Sequence, residues 1–222
     1  MKTLKVPVLP IFNVVFFPHT AVPLQLVNPV GIQMIKDCVE ANSPVALSLT
    51  YNSQTEAVSP VQKTCGVGIP IILEEKRNFL KVLVVGMSKV KLLKPVKTSP
   101  YPVYEAEIFT DNAETFSLKI EEIERLKKIL NSWLIVAVSD QKERENFFKN
   151  LKSVHHIVDY ISMFLIQDPE IRQLLLETTS LYDRIKTLNL LLQGENPFSE
   201  NTHAADVLKN YESIEETAKM VH

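Results

Sequence analysis

Val6-Pro7-Val8-Leu9-Pro10-Ile11-Phe12-Asn13-Val14-Val15-Phe16-Phe17-Pro18-His19-Thr20-Ala21-Val22-Pro23-Leu24 decides how this 222-residue chain is read. The line is apolar enough for a membrane anchor, yet Pro7, Pro10, Pro18 and Pro23 interrupt it. Proline has no backbone N–H, and its ring clashes with the preceding helical turn, so a spanning helix is excluded. An extended segment packed into a protein remains. Lys2 and Lys5 resemble the positive start of an export signal, but Pro7 and Pro10 break the apolar stretch that should follow, and no small-residue cleavage site appears. The segment is therefore expected to belong to the mature protein.

Outward from that line, composition is that of an ordinary globular protein, with 45% hydrophobic and 23% charged residues. A chain of this size buries a sizeable core without covalent staples. Cys38 and Cys65 form no C-x-x-C pair, which predicts two reduced, buried thiols in a cytoplasmic protein. Residues 1–100 carry 11 Lys and Arg against 5 Asp and Glu, and residues 101–222 carry 13 against 21, so the first stretch is net +6 and the second net −8. That shift places a domain boundary between residues 100 and 115.

Period-2 patterning dominates before the boundary. Ala21–Leu26 alternates, Val45–Thr50 and Val103–Phe109 read as strands, and Ile69–Leu73 with Phe79–Val85 reads as a hairpin through residues 74–78. Gly86 predicts a bend or bulge before a strand over Ser88–Leu93. Asn28-Pro29 opens one short helix, with Asn as cap, Pro at the first helical position and an expected stripe of Ile32, Ile35 and Val39. From Ser117 the period becomes helical. Ile120, Ile123, Leu126, Ile129 or Leu130, and Trp133 or Leu134 mark one helix, and Ser153, Asp168-Pro169 and Ser180-x-x-Asp183 are caps for three more. The organisation read from these patterns is a β-rich part over 1–112, a helical bundle over 117–195 and a tail over 196–222. The tail stripe of Ala204, Val207, Leu208, Tyr211, Ile214 and Ala218 predicts an amphipathic helix over 203–221.

Catalytic patterns are missing. None of the five glycines precedes a lysine, so there is no phosphate-binding P-loop. Gly66-Val67-Gly68 lacks the third glycine of a dinucleotide fingerprint, and close backbone approach is its expected use. His155 and Asp159 have the spacing of two metal ligands, but nothing completes a set. No serine elbow occurs. Lys76, Arg77, Lys81, Lys89, Lys91, Lys94 and Lys97 form a basic stretch. An anion or RNA patch on Lys89, Lys91, Lys94 and Lys97 is the alternative to a solvated strand face, which the absence of interleaved exposed aromatics favours. No catalytic residue, metal or cofactor is expected.

The opening line resembles the start of the N-terminal, substrate-binding domain of Lon proteases, where a "PVLPL…VVVFPH…VPL" line begins the chain. Pro7-Val8-Leu9-Pro10, Val14–His19 and Val22-Pro23-Leu24 match it in order. Gly66-Val67-Gly68, Leu83–Val90, Gln173–Glu177 and Asp183-Arg184-Ile185 resemble further motifs of the family, so the likeness covers residues 1–195. It departs at Asn13, where an acidic residue is common, and at Ser88-Lys89. The resemblance implies an α+β fold: an N-terminal PUA-like twisted β pseudo-barrel with one short helix, then a C-terminal helical bundle. It also implies non-catalytic recognition of unfolded or degron-bearing polypeptides, or of a protease or chaperone component, through apolar surface. Neither the ATPase nor the Ser-Lys peptidase domain of Lon is recognised. Phe16, Phe17, Pro18 and His19 are the expected contact residues. The competing expectation is a regulatory or structural subunit that docks, or pairs with a second copy, through the 203–221 helix.

Overall fold

The computed structural model describes residues 3–51, 62–112 and 119–193. The tail over 196–222, the start of the helical pattern at Ser117 and most of the polar 51–64 loop lie outside the described residues. Two compact units divide the chain. The first takes Met1–Thr110 and Asp168–Glu177; the second takes Asp111–Gln167 and the chain from Thr178 onward.

The first unit is built on β1 (Thr3–Phe12), β2 (Ala21–Leu26), α1 (Pro29–Glu40), β3 (Val45–Thr50), β4 (Thr64–Lys76), β5 (Phe79–Lys97) and β6 (Val103–Phe109). Five strands pair in a closed ring. β1 lies parallel to β3 and antiparallel to β6, and β3–β4, β4–β5 and β5–β6 complete the circuit with antiparallel pairs. Strand alternation fills its interior: Val6 and Val8, Ala46, Cys65 and Val67, Val90 and Leu92, and Ala106 form one buried cluster. β5 is long enough to serve twice. Its first half pairs with β2 over Leu80–Val85 and its second half with β6. It does not end at Gly86; the break takes the form of a bulge across from Val67 and Gly68, leaving Met87 without a pairing partner.

α1 begins as its sequence predicts: the Asn28 side chain accepts from the Val30 and Gly31 N–H groups at 2.8 and 3.4 Å. Its buried face differs from the expected stripe. Gly31, Met34, Ile35 and Cys38 are buried, whereas Val39 is exposed. Positions 31, 34, 35 and 38 have helical spacing too, and the softer Met and Cys fill the core where a β-branched stripe was expected.

α5 (Pro169–Glu177) completes the first unit and packs on β4. Buried Gln173 donates from Nε2 to the Thr64 carbonyl at 3.0 Å, and Leu175 and Leu176 are buried. The division between units is thus not the single point near residue 112 that the change of period predicts. A sheet edge carbonyl needed a donor, and a helix 109 residues away in sequence supplies it.

The second unit holds α2 (Ile120–Ala137), α3 (Gln141–Asn150), α4 (Val154–Phe164) and α6 (Leu181–Leu191). Asp140 and Ser180 cap α3 and α6 through the Glu143 and Asp183 N–H groups, at 2.9 and 3.0 Å. The Ser153 hydroxyl turns instead to His156 Nδ1, 2.8 Å away. Leu126, Leu130, Leu134, Ile161 and Leu188 are fully buried, and Trp133, Phe164 and Tyr160 stack with centroids 5.9 and 5.8 Å apart. Fully buried Arg184 lies inside this apolar unit. Its Nη1 donates to Asp159 Oδ1 at 2.7 Å and its Nη2 to Asp111, which also receives His155 Nδ1 at 3.0 Å. No described helix is long and apolar enough to cross a membrane.

Candidate polypeptide-binding surface

The opening line was the expected contact, and burial removes most of it from the surface. Phe16, Phe17 and Pro18 are buried; His19 alone is exposed, in a left-handed turn with φ 58°. Alternation would send one of two neighbouring phenylalanines outward. Residues 13–20 form no strand, so that rule does not operate. Three glycines admit the segment instead. A Cβ on Gly66 would stand 2.0 Å from the Phe16 carbonyl oxygen, one on Gly68 3.0 Å from the Phe16 ring, and one on Gly86 2.5 Å from the Phe17 carbonyl oxygen. Main chain therefore lies on main chain, the use expected of Gly66-Val67-Gly68. Thr20 Oγ1 closes the turn by donating to the Phe17 carbonyl at 2.6 Å.

The basic stretch does not form one face. Lys89 is only 3% exposed, with Nζ 5.1 Å from the Phe109 ring. Lys91 lies opposite Glu107 across the β5–β6 ladder, and Lys94 Nζ is 3.1 Å from Glu105. Lys97 sits 5.3 Å from the Tyr101 ring. Lys76 and Lys81 share Glu74 at 2.5 and 2.9 Å and hold its carboxyl below the usual carboxylate range. Cross-strand carboxylates thus answer much of the charge.

His155 pairs with Asp111 and Asp159 with Arg184, and Arg184 also pairs with Asp111. Among the described residues no group of three or more candidate metal ligands comes together. Cys65 is buried in the ring interior, and burial pushes its thiol up to about 12; burial raises Cys38 as well.

The exposed apolar side chains that sequence reasoning missed stand at the ends of β1 and β3 and on α5, all within the first unit. Phe12 at the end of β1 is 53% exposed, Tyr51 just past β3 is 54%, and Leu174 on α5 is 63%. Local bonds hold these elements. Phe12 lies in register with Thr50, the Asn13 N–H donates to the Thr50 carbonyl at 3.0 Å, and Arg172 Nη2 donates to the Asn13 carbonyl at 3.0 Å. Asn13 adopts φ 56°, which turns its carbonyl out of the ladder toward that guanidinium. Asp168 caps α5 through the Glu170 and Ile171 N–H groups at 2.7 and 3.2 Å. Its charge and that of Glu170 reach Tyr51, whose hydroxyl is raised first by desolvation and then by these two carboxylates. The result is an apolar surface with an acidic margin. Sequence parity gave no signal for it, since Phe12 shares the parity of buried Val6 and Val8 in β1 and is exposed nonetheless.

The family model of the ATP-dependent protease La (LON) substrate-binding domain matches residues 5–194. Lon protease 2 of Herpetosiphon aurantiacus is 27% identical over 207 residues, covering 90% of this chain and 25% of that protein. Lon protease of Anaeromyxobacter dehalogenans is 24% identical, over 90% of this chain and 24% of that protein. The chain thus spans about a quarter of the length of these relatives, and the match is to their substrate-binding domain, not to an ATPase or protease domain. Among solved structures, the N-terminal domain of Mycobacterium avium complex Lon protease superimposes with a TM-score of 0.58 at 16% identity, over 84% of this chain and 96% of that one. A Lon N-terminal domain protein from Xanthomonas campestris gives 0.56 at 14% identity, over 84% and 98%. With a sheet-rich N-terminal unit, helices that follow it and a family match over most of its length, this chain belongs to the LON substrate-binding domain family.

Proposed function

We propose that this protein is a non-catalytic polypeptide-recognition module of the cytoplasm, and that it engages unfolded or degron-bearing chains through the Phe12–Tyr51–Leu174 surface. One observation carries the reading: three large apolar side chains stand more than half exposed around α5 in a domain whose family is defined by substrate binding. Exposed apolar clusters with a polar margin are the usual mark of protein contact. In this reading the strand ring is the PUA-like pseudo-barrel, the second unit is the helical bundle, and both are scaffold. The alternative of an anion-binding face loses support because Lys89 is buried and Lys76, Lys81 and Lys94 are paired with carboxylates.

Fluorescence anisotropy with labelled β-casein, a chain without a stable fold, tests the proposal. Tyr51→Ser with Leu174→Ser should weaken binding by about tenfold, the scale of about 1.4 kcal/mol. Val27→Ser, at an exposed site elsewhere on the unit, should leave it unchanged. Equal affinity for all three proteins would remove the surface from consideration.

A further inference from the structure

The outer face of α5 has a pattern of its own. Glu170, Leu174 and Glu177 are all exposed and stand at i, i+4 and i+7, so an apolar side chain lies between two carboxylates on one helix face. At 1.5 Å per residue the carboxylate positions are about 10 Å apart along the axis. Glu170 has a local reason to be acidic, since the N-terminal end of a helix favours anions. Glu177 stands at the opposite end, where exposed carbonyls favour a cation, and no basic residue occupies the last turn. Gln173 Nε2 donates to one Glu177 oxygen at 2.8 Å, and the residue remains exposed. The cation of this helix faces the other way. Arg172 is half-buried, directed at the Asn13 carbonyl and side-chain oxygen at 3.0 and 3.4 Å. The outward surface is thus acidic at both ends and apolar in the middle, and Asp168 and Tyr51 extend it at the Glu170 end.

We propose that this face selects an extended polypeptide segment in which an apolar side chain stands between two basic ones, a Lys/Arg-x-apolar-x-Lys/Arg pattern. The inference rests on the polypeptide-recognition reading and adds the chemistry of the segment. In an extended chain, residues two apart share a side and lie about 7 Å apart, so the outer pair spans about 13 Å. Flexible lysine or arginine stems close the difference from the helix spacing. The apolar centre supplies desolvation, and the charges supply selectivity and a faster encounter. Lys63, next to Thr64, and Lys91, opposite Thr64 in the ladder, border the Glu177 end, so the two carboxylates need separate tests.

Three labelled peptides differing only in the flanking positions, Lys-Ser-Leu-Ser-Lys, Gln-Ser-Leu-Ser-Gln and Glu-Ser-Leu-Ser-Glu, each repeated twice, are titrated with the full chain by anisotropy at 50 and 300 mM salt. The basic peptide should bind at least tenfold tighter than the acidic one at low salt, and the difference should shrink at high salt. Glu170→Gln and Glu177→Gln should each remove part of that preference and leave the neutral peptide unaffected; the glutamine at 177 still offers an oxygen to Gln173. Equal affinity for all three peptides, still lost on Leu174→Ser, would overturn the charge pattern and leave polypeptide recognition standing. Absence of binding by every peptide, and by β-casein, would overturn both.

Discussion

In the sheet unit, main chain rests directly on main chain: the Phe16 and Phe17 carbonyls lie over Gly66 and Gly86 with no room for a methyl group. In the helical unit, a charged side chain occupies the interior: Arg184, 1% exposed, is held by Asp159 and Asp111, and its Nε has no acceptor among the described residues. The first arrangement depends on an absence of atoms, the second on an exact match of charges. They fail differently. A sheet closed by close approach is intolerant of added volume. A buried ion group is intolerant of losing one member, although replacing the whole group can be harmless.

The largest expected effect breaks the helical side of this contrast. Arg184→Met leaves two carboxylates facing an apolar interior and should cost about 3–5 kcal/mol in urea unfolding. Combining it with Asp111→Asn and Asp159→Asn should recover most of the loss. A triple variant as unstable as the single one would mean that Arg184 acts through packing rather than charge. Next comes the sheet. Gly66→Ala should cost up to about 3 kcal/mol, because the new Cβ meets a backbone carbonyl that cannot move as a side chain would. Gly31→Ala is the control. Its Cβ would meet only Leu9 Cδ1, at 3.5 Å, and it sits inside α1, so it should be neutral or stabilising by about 0.5–1 kcal/mol. If the two substitutions had equal effects, close approach would not distinguish the sheet unit.

The smallest effect concerns how dry the ring interior is. Burial raises Cys65 from 9.0 to about 12, so the folded state keeps a proton that the unfolded chain releases near 9. The folded state then binds more protons across that interval. The contribution is fully present below pH 9 and is lost as pH rises toward about 12. Tyr101, raised from 10.0 to about 12 by donating to Asp37 at 2.5 Å, adds a slope of the same sign. Cys65→Ala should flatten the alkaline fall in stability without abolishing it. Native Cys65 should resist iodoacetamide at pH 8, whereas rapid alkylation would show an accessible thiol.

The same contrast explains what the sequence disclosed. The bounds of β2, β3 and β6 and the caps of α1, α5 and α6 were legible, because alternation and cap chemistry act within a few residues. Close approach at Gly66 was legible as a need, but its partner was not, since Phe16 lies fifty residues earlier. Arg184 could have been found. With Leu181, Ile185 and Leu188 it has the spacing of a buried stripe, and a guanidinium in such a stripe requires buried anions. The Phe12–Tyr51–Leu174 surface was not legible, because its three positions are scattered along the chain and share one unit only once α5 joins the sheet. The opening line supplied the family and the core, while its expected contact residues lie mostly inside.

That α5 belongs to the sheet unit has a consequence for synthesis. A ribosome releases the strands first, yet the Thr64 carbonyl and the covering leucines of α5 meet only after residue 177 has emerged. By then the chain has already delivered α2, α3 and α4. The sheet unit must wait, partly uncovered, while most of the helical unit is being made, and that interval is when a chaperone would find β4 accessible.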